Sequence, residues 1–125
     1  MENLQLSLKR KWFEMTKSGI KTEDYREITP YWIKRLMVVD SEDADTGMAL
    51  CAIRDGYTID EAYELYGATL KKVNYNIMTL GYPKSGDKER ILKLVHKGIE
   101  IRAGNPEWGA EPNEIYFVIK HGVAV

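Results

Sequence analysis

Eight consecutive residues, Gly19-Ile20-Lys21-Thr22-Glu23-Asp24-Tyr25-Arg26, hold two cations, two carboxylates and a helix-stopping glycine, a dense place for chemistry. In an extended segment side chains alternate, so Thr22, Asp24, Arg26 and Ile28 share one face and Glu23, Tyr25 and Glu27 the other. Asp24 and Arg26 are then neighbours. Lys21 and Arg26 are the residue types that hold a phosphate or the edge of a base, and Asp24 is the type that accepts from an exocyclic amine or orients a guanidinium. The plain alternative for the pair is a solvated ion pair on an edge strand, worth little. A second basic cluster, Lys9-Arg10-Lys11, leads into a helix, where unpaired N–H groups add to the field that a phosphate feels. For Arg10 and Lys11 the alternative is a set of solvated, snorkelling side chains. Trp108 precedes Gly109 in the turn-rich stretch Pro106 to Pro112, where it serves either as a ring for stacking a base or as a plug for the core.

Other chemistries lack their residues. The single Cys51 and the two histidines, His96 and His121, have no ligand spacing, so neither a metal nor a cofactor is expected. Each histidine reads as an ordinary surface or satisfied side chain. Cys51 lies in the apolar run Met48 to Ile53, which reads as a buried structural thiol rather than a nucleophile. There is no phosphate-cradling G-x-x-x-x-G-K-[ST], no G-x-G-x-x-G and no serine elbow. No apolar run is long enough to span a bilayer and Met1-Glu2-Asn3 does not open a signal peptide, so a soluble, cytoplasmic protein with no membrane partner is expected.

The elements that must position these groups follow from periodicity. Leu4, Leu6 and Leu8 alternate with polar residues, a half-buried strand, and Trp12, Phe13 and Met15 give the next helix its apolar stripe, with Lys17 in its last turn and Gly19 as stop. Thr29-Pro30 is an N-cap with proline at the first helical position, followed by Tyr31, Trp32, Ile33, Leu36 and Met37 as a core-facing stripe. A helix is expected over Ala44 to Arg54, ending at Gly56, and a capping box Thr58-Ile59-Asp60-Glu61 starts another that runs to Gly67. A helix-turn-helix reading of this pair is set aside, because Tyr63 occupies the position that needs a small residue and the unit is acidic. Strands follow over Val73 to Leu80 and Ile91 to Val95, joined as a hairpin through Gly81 to Asp87. A bulge at Lys97-Gly98 leads to Ile99 to Arg102, and a last strand carries Ile115, Phe117 and Ile119 on one face.

The net charge of −1 conceals a division. Residues 1 to 37 carry eight bases against five acids, residues 38 to 70 one against eight, and residues 71 to 125 nine against six. Basic flanks thus enclose an acidic centre, the pattern an inserted unit leaves.

The segment Leu6 to Phe13 followed by Ser18 to Arg26 resembles the start of an ASCH domain, whose signature reads G-x-K-x-x-E-x-R. Gly19, Lys21 and Arg26 match it, and Asp24 stands where the family usually has Glu. Gly81-Tyr82-Pro83, Lys97-Gly98-Ile99 and Pro106 to Pro112 are similar to the later part of small phage and bacterial members, so the resemblance covers residues 4 to 37 and roughly 72 to 121 and lapses over the acidic centre. It implies one α+β domain over residues 1–125: a PUA-like small β-barrel of about five to six strands, short helices over its ends, and a two-helix acidic insertion at 38–70.

It also implies a function. The family is thought to bind RNA or nucleotides in a cleft lined by the signature, here Lys21, Asp24 and Arg26; in such a barrel the Pro106 to Pro112 loop can approach the same cleft, which adds Trp108, and Lys9 completes the set expected at the ligand. Some small members look like amidohydrolases acting on a modified nucleoside such as N4-acetylcytidine, with a Lys and a Thr of this stretch and a distant Glu. On this chain that alternative rests on Lys21 and Asp24 as the catalytic pair, because the family's threonine falls at the position of Asp24. A third expectation is that the acidic stretch 38–70 meets a basic protein partner or the chain's own basic face.

Overall fold

Leu4, Leu6 and Leu8 are 5 %, 0 % and 6 % exposed, so β1 (Glu2–Leu8) turns every second side chain into the core, as its alternation requires. The computed structural model describes residues 2–39, 46–66, 68–84 and 86–125. After β1 come α1 (Arg10–Lys17), β2 (Glu23–Arg26), α2 (Pro30–Leu36) and β3 (Met37–Val39). Then follow α3 (Thr46–Arg54), α4 (Ile59–Tyr66), β4 (Ala68–Leu70), β5 (Val73–Leu80), β6 (Ile91–Ala103), a 3-10 turn at Pro106–Trp108 and β7 (Ile115–Ala124).

Local signals account for most boundaries. α1 closes at Gly19, whose φ of 85° lies in the region glycine enters without penalty. The Lys21 N–H then returns to the Met15 carbonyl at 3.0 Å, drawing Lys21 back under the helix. Thr29 caps α2 through Oγ1, which accepts from the Trp32 N–H, with Pro30 at the first position. The capping box is complete: the Thr58 N–H donates to Glu61 Oε1 and the Glu61 N–H to Thr58 Oγ1, both at 3.1 Å. The expected start at Ala44 and the stop at Gly67 lie outside the described residues.

The main sheet runs β1-β5-β6-β7-β2, with β1 parallel to β5 and the other pairs antiparallel. Its two edges, β1 and β2, come together: Arg26 Nη2 donates to the Ser7 carbonyl at 3.1 Å, so the sheet curls into a half-barrel whose seam is crossed by side chains. The parallel β1–β5 pairing was not legible from periodicity, because it joins segments some seventy residues apart. The expected strands over 91–95 and 99–102 are one strand. Its register against β7 slips on both sides of His96, where Gly98 has a φ of 112°.

The acidic stretch enters and leaves through the antiparallel ribbon β3–β4. Ile53, Ala62 and Ala68 join Phe13, Ile33, Met78 and Phe117 in the same core, so this stretch supplies interior as well as surface. Cys51 corrects its expectation. It is exposed, because Ala52 and Ile53 take the inward positions of α3. Among the described residues, no helix is long and apolar enough to cross a membrane.

β7 is covered on both faces. Phe117 and Ile119 belong to the main core, while Tyr116 and Val118 pack with Ala110 and Tyr25 in a second cluster. Gly104 lies beneath that cluster, where a Cβ would stand 2.7 Å from Ala110 Cβ and 2.8 Å from the Tyr25 ring. The ring cannot retreat freely, since its hydroxyl donates to Glu23 Oε1 at 2.6 Å and accepts from the Asn105 N–H at 2.8 Å. Gly104→Ala should therefore cost about 1–3 kcal/mol of stability by overpacking. A urea midpoint equal to that of the parent would show that the cluster yields.

Candidate functional site

The turn after α1 buries an ion triad. Lys21 Nζ donates to Asp24 Oδ1 at 2.9 Å and to the Glu23 carbonyl at 2.6 Å, with a side chain only 1 % exposed. Asp24 Oδ2 accepts from Arg26 Nε at 2.9 Å and Nη2 at 2.8 Å. The same-face placement of Asp24 and Arg26 on β2 makes this contact, and Lys21 reaches the other oxygen from the turn. Burial alone would raise the Asp24 carboxyl, but Arg26 and Lys21 outweigh it and hold the group below its ordinary value.

Arg26 goes further. Its guanidinium carbon lies 4.9 Å from the centre of the Trp32 ring, and that of Arg35 lies 5.0 Å from the same ring. Arg35 Nη2 donates to the Gln5 carbonyl at 2.9 Å, as Arg26 does to that of Ser7. Two guanidiniums therefore meet the outer edge of β1 where a further strand would otherwise pair. Trp32, expected as core, is half-buried and shared between core and cations.

Beside this seam is a hollow of about 240 Å³ between the end of β1, β2 and the 3-10 turn. Lys9, Asp24, Arg26 and Trp108 all line it, together with Trp12 and Tyr25. Four of the five residues expected at the ligand thus come together from three separate stretches. Lys21 does not. It sits behind Asp24, so an expected direct contact becomes a buried support. Trp12, assigned from its helical stripe to the core, is half-buried and shares the wall, with Lys11 Nζ 4.7 Å from its ring centre. Gly109 brings the 3-10 turn close to it, since a Cβ there would stand 3.0 Å from the Trp12 ring.

The opposite face of β2 is fixed by a second set of charges. Arg102 donates to both oxygens of Glu23, at 3.2 and 2.6 Å, and to Glu100 at 2.8 Å, where Lys120 also donates. Burial pushes the Glu23 carboxyl up, and its bonds from Arg102 and Tyr25 more than reverse this. Burial and the bond to Glu23 raise the Tyr25 phenol.

Behind the triad lies a polar group that sequence reasoning missed. Asn76, fully buried, donates through Nδ2 to the Lys120 carbonyl at 3.2 Å and to His121 Nδ1 at 2.7 Å, and accepts from His96 Nδ1 at 2.8 Å. The Lys120 carbonyl sets the amide's orientation, which places the His121 proton on Nε2. That nitrogen is buried and has no partner among the described residues. Burial is the main cause that pushes His121 down to about 4, with Asp24 opposing and Lys21 and His96 adding to the fall. The two histidines, expected to stand apart, face each other because the β6 bulge sets His96 opposite His121. The available signal was Asn76 itself, a polar residue at an inward position of an alternating strand. Among the described residues, no group of three or more His, Cys, Asp and Glu is placed to hold a metal ion.

Compared with family models, with curated proteins and with solved structures, the chain gives no match in any of the three.

Proposed function

We propose that the protein is an ASCH-type, PUA-like module that binds RNA or a nucleotide, with a base held in the hollow between β1 and β2. The observation that carries this reading is the convergence of Lys9, Asp24, Arg26 and Trp108 on one hollow. Each has a part there: the indole of Trp108 offers a stacking surface, Asp24 orients the Arg26 guanidinium, and Lys9 and Arg26 face the sugar-phosphate. At about 240 Å³ the hollow is smaller than the about 300–1,000 Å³ of a drug-sized pocket, which suits one planar ring with its phosphate outside. Cations are present for that phosphate, because Lys9 also lines a neighbouring hollow with Arg10 and Arg90.

The test is binding of a fluorescent mixed-sequence RNA. Trp108→Ala should weaken it by about 5- to 100-fold, the loss of one base–aromatic stack. Lys9→Ala should lower the salt slope by about 0.7, the share of one phosphate on a single strand. Parent-like affinity and parent-like salt slope in both variants would sink the proposal.

The amidohydrolase alternative draws less support. Lys21 Nζ is tied to Asp24 and the Glu23 carbonyl and does not line the hollow, while Asp24 has both oxygens engaged and a lowered pKa, which makes it a weak base.

A further inference from the structure

A second hollow, of about 260 Å³, lies next to the first along the outer edge of β1 and shares Ser7 and Arg26 with it. Its other walls include Tyr31, Trp32, Arg35 and Tyr82. Tyr82 is 97 % exposed and Tyr31 60 %, two aromatic rings left largely in water beside two guanidiniums. Those guanidiniums are anchored rather than loose. Arg26 holds Asp24 and the Ser7 carbonyl, Arg35 holds Tyr31 Oη and the Gln5 carbonyl, and both lie on Trp32. Anchoring still leaves donors: among the described residues, Arg26 Nη1 and Arg35 Nε make no hydrogen bond.

We infer that the protein takes single-stranded nucleic acid rather than a free mononucleotide, seating a second nucleotide in this hollow against Tyr31 and Tyr82 with the linking phosphate on Arg26 and Arg35. The inference rests on the proposed binding of a base in the first hollow and extends it. Arg26 forms the partition between the hollows, so the phosphate that joins two bases falls beside it. Two distinct hollows that meet at Ser7 and Arg26 set two bases apart from each other. That arrangement suits a strand whose bases are splayed into separate pockets, not stacked on each other. A duplex would present neither base. The chemistry is therefore an extended single strand read by rings and guanidiniums, the arrangement that tolerates many sequences.

The test is a length series of fluorescent mixed-sequence RNA of one, two and four nucleotides, titrated against the full chain and three variants. Affinity should rise about 10-fold or more from the mononucleotide to the dinucleotide. Tyr82→Ala, at a ring 97 % exposed, should remove about 5-fold or more of that gain and leave the mononucleotide unchanged, and Arg35→Ala should remove a similar share of the gain. Trp108→Ala should weaken every length. If all lengths bind equally and Trp108→Ala still weakens them, the second subsite is overturned and the first hollow stands. A length gain that survives both Tyr82→Ala and Arg35→Ala overturns it too. Failure of every probe to bind, or indifference to Trp108→Ala, removes both readings together.

Discussion

Asp24→Ala should destabilise the fold by about 3–5 kcal/mol, the cost of leaving a buried charge without its partner. The carboxylate neutralises two cations at once, and one of them, Lys21, has almost no contact with water. Arg26 at 20 % side-chain exposure can turn to solvent, but Lys21 is left with the Glu23 carbonyl and the Tyr25 ring, 5.9 Å from Nζ. Lys21→Met should cost less than Asp24→Ala, because Asp24 then retains Arg26. The pair Lys21→Met with Asp24→Leu should recover much of the loss, since two apolar side chains strand no charge. Urea denaturation reads all three. With a slope of about 1–3 kcal/mol per molar, the Asp24→Ala midpoint should fall by one molar or more. A midpoint within experimental error of the parent would show that the triad does not hold this region. The same comparison separates Lys21 from ligand contact: its replacement should act through stability, whereas Trp108→Ala should lower affinity under the proposed function.

Folding should also weaken as the pH drops from about 6.5 to 4, through His121. The folded chain keeps this ring neutral down to about 4, whereas in the unfolded chain it takes a proton at its ordinary 6.5. Below 6.5 the unfolded state binds more protons, so stability rises with pH and is lost on acidification. At about 1.36 kcal/mol per pH unit, the window amounts to roughly 3 kcal/mol. His96, lowered by burial and then by Lys120, acts in the same direction. Asp24 acts in a different range: its lowered carboxyl contributes stability that is present above its ordinary 3.8 and is lost as the pH falls through the folded value. Urea midpoints at pH 7.5, 6 and 5 should therefore decline for the parent and decline less for His121→Gln, which cannot titrate there. Equal midpoints at pH 7.5 and 5 in the parent would refute the buried neutral ring.

Local rules reached far along this chain. The β1 alternation, the Thr29-Pro30 cap, the Thr58–Glu61 box and the glycine stop at Gly19 each depend on a few adjacent residues, and each is present. The neighbourhood of Asp24 and Arg26 followed from the two-residue period of a strand. What escaped was set at long range or by a one-residue offset. Lys21 turned inward because its amide returns to Met15, a turn that periodicity does not encode. His96 and His121 met through a bulge that shifts register, and Cys51 missed the core by one position on its helix. Trp12 looked like interior from its stripe, yet its helix sits at the rim, where Gly109 and Trp108 face it.

The junction of β1 with β2 differs in kind from the four ladders around it. Backbone ladders yield only when strands separate, but this joint hangs on a side-chain bond, from Arg26 to the Ser7 carbonyl. The β1–β2 joint thus depends on Arg26, one of the two groups proposed to meet an incoming chain. A guest that drew Arg26 away from the Ser7 carbonyl would loosen that joint, and the ladders of the half-barrel would keep its strands in place.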